Sequence, residues 1–389
     1  MWVRYPSVPT HLSAQAALGK KIFFDPSLSA SGRMSCSSCH SPQHAYGPPN
    51  GLAVQQGGAD LQQAGTRSVP SLRYLTSTPL FSRHFYTPAS EDSEDEGPTG
   101  GFTRDGSVAS LHQQAAVPLL HANEMANSDE KTVVAKVQHG AYAQDFAQVF
   151  GTSIFSRPDQ AFEDIGLALE AFQTEDASFH PYTSKFDAVM SGHEKLTLQE
   201  IRGYALFNNP RKGNCAKCHT DTPGPSGRPA AFTDYSFAAL GVPRNPEILA
   251  NRDSGYFDLG LCGPFRIDLA RETAYCGMFK TPTLRNVATR TVFFHNGRFH
   301  RLEDALHFYV ERDTHPRKWY PMVAGVLNEF DDLPLRYRDN IDRTDAPLDR
   351  PFAGRPALNA AEIHDLSAFL KTLNDGYSAT AGGARTSGQ

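Results

Sequence analysis

The apolar residues of this chain recur mostly at helical intervals. Phe162, Ile165, Leu169 and Phe172 stand three and four positions apart, the spacing that lines one face of an α-helix. Ile363, Leu366, Leu370 and Leu373 form a second stripe behind Asn359 and Glu362, a pair able to cap a helix start reciprocally. Thr197-Leu-Gln-Glu200 has the same capping pattern and predicts a third helix, with Leu198, Ile201 and Ala205 on its core face. Leu302 to Tyr309 reads as a fourth. Alternating segments of the kind that form half-buried strands are scarce. Gly/Pro-rich stretches at 41–66, 86–101 and 220–230 are expected to be long loops. The fold class expected is therefore mainly α.

Landmarks along the chain also recur in order. Gly19, Phe23, Asp25 and Pro26 are matched at identical mutual spacing by Gly203, Phe207, Asn209 and Pro210. Pro70-Ser-Leu-Arg73 is echoed by Pro282-Thr-Leu-Arg285. Asp105-Gly106 with Leu111 is echoed by Asn296-Gly297 with Leu302. One match would mean little, but a shared order implies an internal duplication. It predicts two domains, 1–180 and 190–389, joined near 178–195.

Composition narrows the class without naming it. A chain of 389 residues, 40% hydrophobic and 20% charged, resembles ordinary globular proteins. The formal net charge of −5 comes with no basic stripe, so no nucleic-acid partner is expected. The acidic run Glu91 to Glu96 reads as a solvated loop. No apolar run approaches the ~18 residues of a membrane span. No charged-then-apolar leader opens the chain, so it reads as a mature or trimmed form.

The chemistry is carried by two Cys-x-x-Cys-His motifs, Cys36-Ser-Ser-Cys39-His40 and Cys215-Ala-Lys-Cys218-His219. This spacing lets two cysteines form thioethers with one haem while the adjacent histidine ligates its iron. A zinc site or a dithiol redox pair is the alternative for either motif. Two copies inside a repeat favour two covalently bound haem c groups. In bacteria haem c is attached after export, which points to the periplasm. The remaining cysteines, Cys262 and Cys276, suit a disulfide in such a compartment, with two free buried thiols as the alternative.

The repeat makes the two irons unequal. Tyr309 stands seven residues after Leu302, and Pro118 stands seven after Leu111. If equivalent positions face equivalent haems, Tyr309 can ligate the second iron opposite His219. Pro118 offers no donor atom and leaves the iron held by His40 open. Met278, His295, His300 and His307 are the other candidate ligands for the second iron. An open iron suits peroxide, whose O–O cleavage needs a proton moved between its oxygens. Glu124 and Gln114, which flank Pro118, are the candidates to move it and to orient the peroxide.

These motifs together are similar to those of the bacterial dihaem cytochrome c peroxidase/MauG superfamily. The likeness is carried by Leu18-Gly19 to Asp25, both haem motifs, Lys280 to Val287, Phe294-His-Asn-Gly297 and Ala368 to Leu373. It implies two cytochrome c-like domains, the N-terminal one with a peroxide-reactive high-spin haem and the C-terminal one with a low-spin His/Tyr haem. Tyr309 resembles the MauG-type branch, since ordinary dihaem peroxidases have methionine there. His307-Phe-Tyr309, Arg312-Asp-Thr, Trp319-Tyr-Pro and Phe330 to Pro334 resemble the same branch. Family roles then fall on Gln114, Pro118 and Glu124. The loop after His40 offers only His44 as a plugging histidine, which favours an always-open haem.

Two departures stand out. The family usually has tryptophan between the haems, just before Asp105-Gly106, and this chain has Arg104 there. Arginine carries no hole but pairs readily with a haem propionate. The family's calcium site maps onto Ser68, where an asparagine is usual, and onto the backbone carbonyls of Arg290 and Val292. That leaves both a calcium-bound and a calcium-free joint open.

The resemblance implies an enzyme that reacts with hydrogen peroxide, reaches a high-valent bis-ferryl-type state, and oxidises a residue of a periplasmic partner protein or another electron donor. Trp319 is a candidate relay. The alternatives are a peroxidase fed by a small cytochrome or cupredoxin, and a pure electron-transfer cytochrome.

Overall fold

The computed structural model describes residues 3–5, 9–85, 95–224 and 227–378. Residues 91–94 of the acidic run lie outside that set. Helices dominate: α1 (Ala14–Phe23), α2 (Cys36–Cys39), α3 (Leu111–Leu120), α4 (Glu130–His139), α5 (Ala143–Phe150), α6 (Pro158–Glu175), α7 (Lys185–Met190), α8 (Leu198–Asn208), α9 (Leu302–Glu311) and α10 (Ala360–Lys371). Among the described residues, strands occur only as three antiparallel pairs of two residues each. No described helix is long and apolar enough to cross a membrane.

Two large apolar clusters hold the chain. One runs from Leu18 to Phe179 and includes Phe162, Ile165, Leu169 and Phe172 of α6. The other runs from Phe186 to Leu373 and includes Ile363, Leu366 and Leu370 of α10. In the first, α1, α3 and α4 pack on α6; in the second, α8 and α9 pack on α10.

The predicted core face of α8 is corrected. Leu198 is 77% and Ile201 49% exposed, and Ala205 is exposed as well. The buried side carries Gly203 and Phe207 instead. A Cβ on Gly203 would stand 2.0 Å from the Asp365 carbonyl oxygen of α10. Only glycine permits this crossing, and the crossing turns Phe207 inward and the aliphatic stripe outward. Gly19 is used in the same way: a Cβ there would meet the Ala168 carbonyl of α6 at 1.8 Å. The capping at Thr197 and Glu200, and at Asn359 and Glu362, is formed as the sequence predicts.

Between these clusters runs a seam of hydrogen bonds. Arg67 grips Asp105 (2.7 Å) and Asp258 (2.6 Å) together. Ser68 N donates to the His295 carbonyl at 2.7 Å, and Ser68 Oγ donates to the Phe294 carbonyl at 2.8 Å. Cys262 and Cys276 are joined by a disulfide, their Cα atoms 5.0 Å apart.

Candidate functional site

The two Cys-x-x-Cys-His segments are each wound into a single tight turn. In the first, α2 brings Cys36 and Cys39 one turn apart and His40 N donates to the Cys36 carbonyl at 2.9 Å. In the second, Cys215–Lys217 form a 3-10 turn and His219 N donates to the Cys215 carbonyl at 2.8 Å. The two histidines are fixed alike. His40 Nδ1 contacts the Tyr46 carbonyl at 3.1 Å, and His219 Nδ1 the Phe232 carbonyl at 3.1 Å. A carbonyl only accepts, so Nδ1 must carry the proton and Nε2 keeps its lone pair for a metal. Burial pushes both rings down to about 4, so both are neutral.

The four thiols argue against a dithiol redox pair. Burial raises Cys36 to about 12, Cys39 to about 11, and Cys215 and Cys218 each to about 12. Such a pair works through a thiolate. Among the described residues, no group of three or more His, Cys, Asp or Glu side chains could hold a metal ion.

A cavity of about 340 Å³ is lined by Cys215, Cys218, His219 and Tyr309 on one side and by Arg104, Lys280 and Arg290 on another. These three cations are half-buried, their charged ends desolvated against the cavity wall. Desolvation lowers Arg104 to about 9, Lys280 to about 8 and Arg290 to about 10. None of the three has a carboxylate within 4.0 Å among the described residues. Desolvated cations with no carboxylate in direct contact are costly. Haem propionates would supply the missing anions, so the cations, the neutral histidines and the cysteine turns together fit haem.

Tyr309 is the eighth residue of α9, and Pro118 the eighth of α3. Tyr309 is half-buried, and its phenol is held far above the usual range, first by desolvation and then by nearby Cys218 and Cys215. Of the other candidate ligands, His300 pairs with Glu247 (3.0 Å) and His307 with Glu311 (2.9 Å). Met278 packs between two apolar clusters. His295 lines the cavity, but its ring lies flat on Phe279, with centroids 3.6 Å apart.

Glu124 sits in the turn after α3, where its backbone N donates to the His121 carbonyl at 3.0 Å. Burial raises its carboxyl and nearby His121 lowers it. Its charge in turn raises the thiols of Cys36 and Cys39, so the carboxylate stands close to the first motif. Gln114, on the other side of Pro118, lines the central cavity. Sequence reasoning missed His121, whose Nδ1 lies 3.7 Å from Glu124 Oε2. The available signal was its place three residues before Glu124.

Arg104 lies at the seam. Its Nε donates to the Ser68 carbonyl (2.9 Å) and its Nη2 to Ser68 Oγ (2.7 Å). The Arg290 guanidinium donates to the Val292 carbonyl (3.2 Å) and the Val69 carbonyl (2.9 Å). Trp319 meets Phe299 and Phe308 edge-on at 5.7 and 5.6 Å, and Phe308 lies 6.4 Å from Tyr309.

Comparison with known proteins decides the family. MauG, the methylamine utilization protein of Paracoccus denitrificans, is 36% identical over 305 residues, covering 76% of this chain and 74% of that protein. The chain belongs to the dihaem cytochrome c peroxidase/MauG family. The family model described as di-haem cytochrome c peroxidase matches residues 13–195. The cytochrome c551 peroxidase of Nitrosomonas europaea is 30% identical over 75% of this chain and 71% of its own. The crystal structure of the diheme peroxidase BthA from Burkholderia thailandensis aligns with a TM-score of 0.83 at 36% identity, covering 96% of this chain and 90% of that one. Membership makes the chain an oxidoreductase of the dihaem peroxidase type, with haem as its cofactor.

Proposed function

We propose that this chain is a MauG-like periplasmic oxidase that uses hydrogen peroxide to oxidise a residue of a partner protein. Its two haem c groups would be attached covalently at Cys36/Cys39 and Cys215/Cys218, in domains 1–180 and 190–389. The two separate apolar clusters support that division. So do the paired glycine crossings and the matched His40 and His219 contacts. One observation carries the functional reading. Tyr309 shares one cavity with Cys215, Cys218 and His219, at the helical step where α3 has Pro118.

When bound, the haems supply the iron centres at which peroxide is reduced and the oxidising equivalents are kept. The chain does the rest. The Tyr46 and Phe232 carbonyls hold Nδ1–H of His40 and His219, leaving each Nε2 free to take an iron. Tyr309 would offer the haem at Cys215/Cys218 a phenol oxygen, a hard ligand that favours high oxidation states. Pro118 offers the haem at Cys36/Cys39 no donor atom. Gln114 would orient the peroxide. Glu124 would accept a proton from one peroxide oxygen and return it to the other, which leaves as water, the two electrons for O–O cleavage coming from the haem centres when bound. A carboxyl raised by burial lies closer to working pH, where such a shuttle is most effective. Trp319, packed behind Tyr309 through Phe308, is the relay for electrons arriving from a periplasmic partner.

The test is electron paramagnetic resonance of the ferric holoprotein, before and after one equivalent of peroxide without prior reduction. One high-spin and one low-spin signal, both lost on adding peroxide, are expected. Two low-spin signals indifferent to peroxide would sink the reading. They would leave a reductively activated peroxidase or an electron-transfer cytochrome.

A further inference from the structure

Two of the three positions that the family resemblance assigns to calcium, Ser68 and the Val292 carbonyl, are already engaged. Ser68 is 1% exposed. Its hydroxyl donates to the Phe294 carbonyl and accepts from Arg104 Nη2, while its carbonyl accepts from Arg104 Nε. The Val292 carbonyl accepts from Arg290 Nε. Calcium takes six to eight oxygens at about 2.3–2.6 Å. A guanidinium hydrogen on two of the assigned oxygens prevents that approach. The charges oppose it too: a divalent ion here would stand among Arg104, Arg290 and Arg67, and the last two add their repulsion to the desolvation that lowers Arg104. The residues do not fit calcium.

What they do fit is a joint closed by arginine. Arg290 reaches across the seam from the C-terminal half to the Val69 carbonyl in the N-terminal half. Ser68, held by Arg104, carries two further bonds across the seam, to Phe294 and His295. Both guanidinium groups also line the central cavity. A planar guanidinium with several fixed donors can bind carbonyls on one edge and a carboxylate on another.

We propose that Arg104 and Arg290 replace the inter-haem calcium ion of the family, holding the seam and the haem propionates with two fixed organic cations. They are positioning residues: they act on the haem centres through the seam and the propionates. The seam then owes nothing to calcium supply and withstands chelators. Arg104 also occupies the place usually held by a tryptophan, so the two departures from the family pattern, Arg104 and Ser68, meet in one hydrogen-bonded pair.

The proposal rests on haem loading as read above, so the experiment starts by counting haem in the holoprotein by pyridine haemochrome. A chain without two haems fails the earlier reading and is set apart at that step. In the loaded protein, calcium is counted by mass spectrometry after gel filtration through EGTA. Far less than one calcium per chain is expected, with paramagnetic resonance spectrum and haem potentials unmoved by millimolar calcium or by EGTA. About one retained calcium per chain, or spectra that follow calcium, would overturn the proposal.

The second arm is Arg104→Ala. Its ferric spectrum should shift, and guanidinium ion at tens of millimolar should restore it. An unshifted spectrum, or one that guanidinium leaves shifted, would also overturn the proposal. If the alanine variant does not fold, Arg104→Lys keeps the charge and loses the two-pronged grip on Ser68. It should show a partial shift, and a spectrum identical to the parent's would count against the proposal.

Discussion

His121 Nδ1 stands 3.7 Å from Oε2 of Glu124, the carboxylate whose charge reaches the cysteines of the first haem motif. Two influences oppose each other at Glu124: burial raises its carboxyl, and positive charge on nearby His121 lowers it. A group that accepts the peroxide proton must be ionised, so the peroxide reaction should speed up as pH rises through the Glu124 pKa. Removing the histidine removes the one influence that lowers it. His121→Ala should therefore move the acid limb of the rate–pH profile to higher pH, with the plateau rate little changed. Stopped-flow mixing with peroxide across pH reads this directly. An unmoved limb would separate the two residues functionally.

Glu124→Gln keeps the shape and loses the proton site. The rate of the peroxide reaction should fall by about 10²–10⁴-fold, the usual worth of a positioned acid–base group. The ferric spectrum should stay unchanged, because Glu124 is not assigned as an iron ligand. A variant as fast as the parent would show that the proton travels by another route.

How much of this was legible in the sequence depends on the range of each interaction. The two Cys-x-x-Cys-His segments were readable because their cysteines and histidine are contiguous, and each folds as one local turn. The α6 and α10 stripes were readable because period and burial coincide there. The α8 stripe misled, because hydrophobic spacing cannot show that Gly203 is the point of closest approach to α10. Ser68 and Arg104 are 36 residues apart and Arg290 lies 221 residues beyond Val69. Such contacts leave no local period. The sequence could flag Ser68 and Arg104 as departures without showing that one binds the other.

Tyr309→Met tests the second-side ligand by its electronic effect. A phenolate oxygen stabilises the ferric state and lowers the potential, and a thioether does the reverse. The midpoint potential of one haem should rise by on the order of 100 mV, within the span that axial ligands control. The other should move little. Spectroelectrochemical titration resolves the two steps. If neither potential moves, Tyr309 is a packing residue, and His295 becomes the candidate to examine.

The glycine crossings are a test of the fold that does not involve haem chemistry. A methyl at Gly203 would lie 2.0 Å from a backbone oxygen that cannot rotate away, so α8 and α10 would have to separate. Overpacking of this kind costs typically about 1–3 kcal/mol. The separation would also loosen Phe207, which is fully buried next to Phe232 and Phe369. Gly203→Ala should lower the urea midpoint followed by far-ultraviolet circular dichroism. Leu198→Ala, on the exposed side of the same helix, is the control; it should leave the midpoint within experimental error. The loss should be matched by Gly19→Ala in the other cluster, where the corresponding distance is 1.8 Å. A stable Gly203→Ala protein would mean that α8 can shift along α10 without cost, and the close crossing would not be what orients the second haem-binding half.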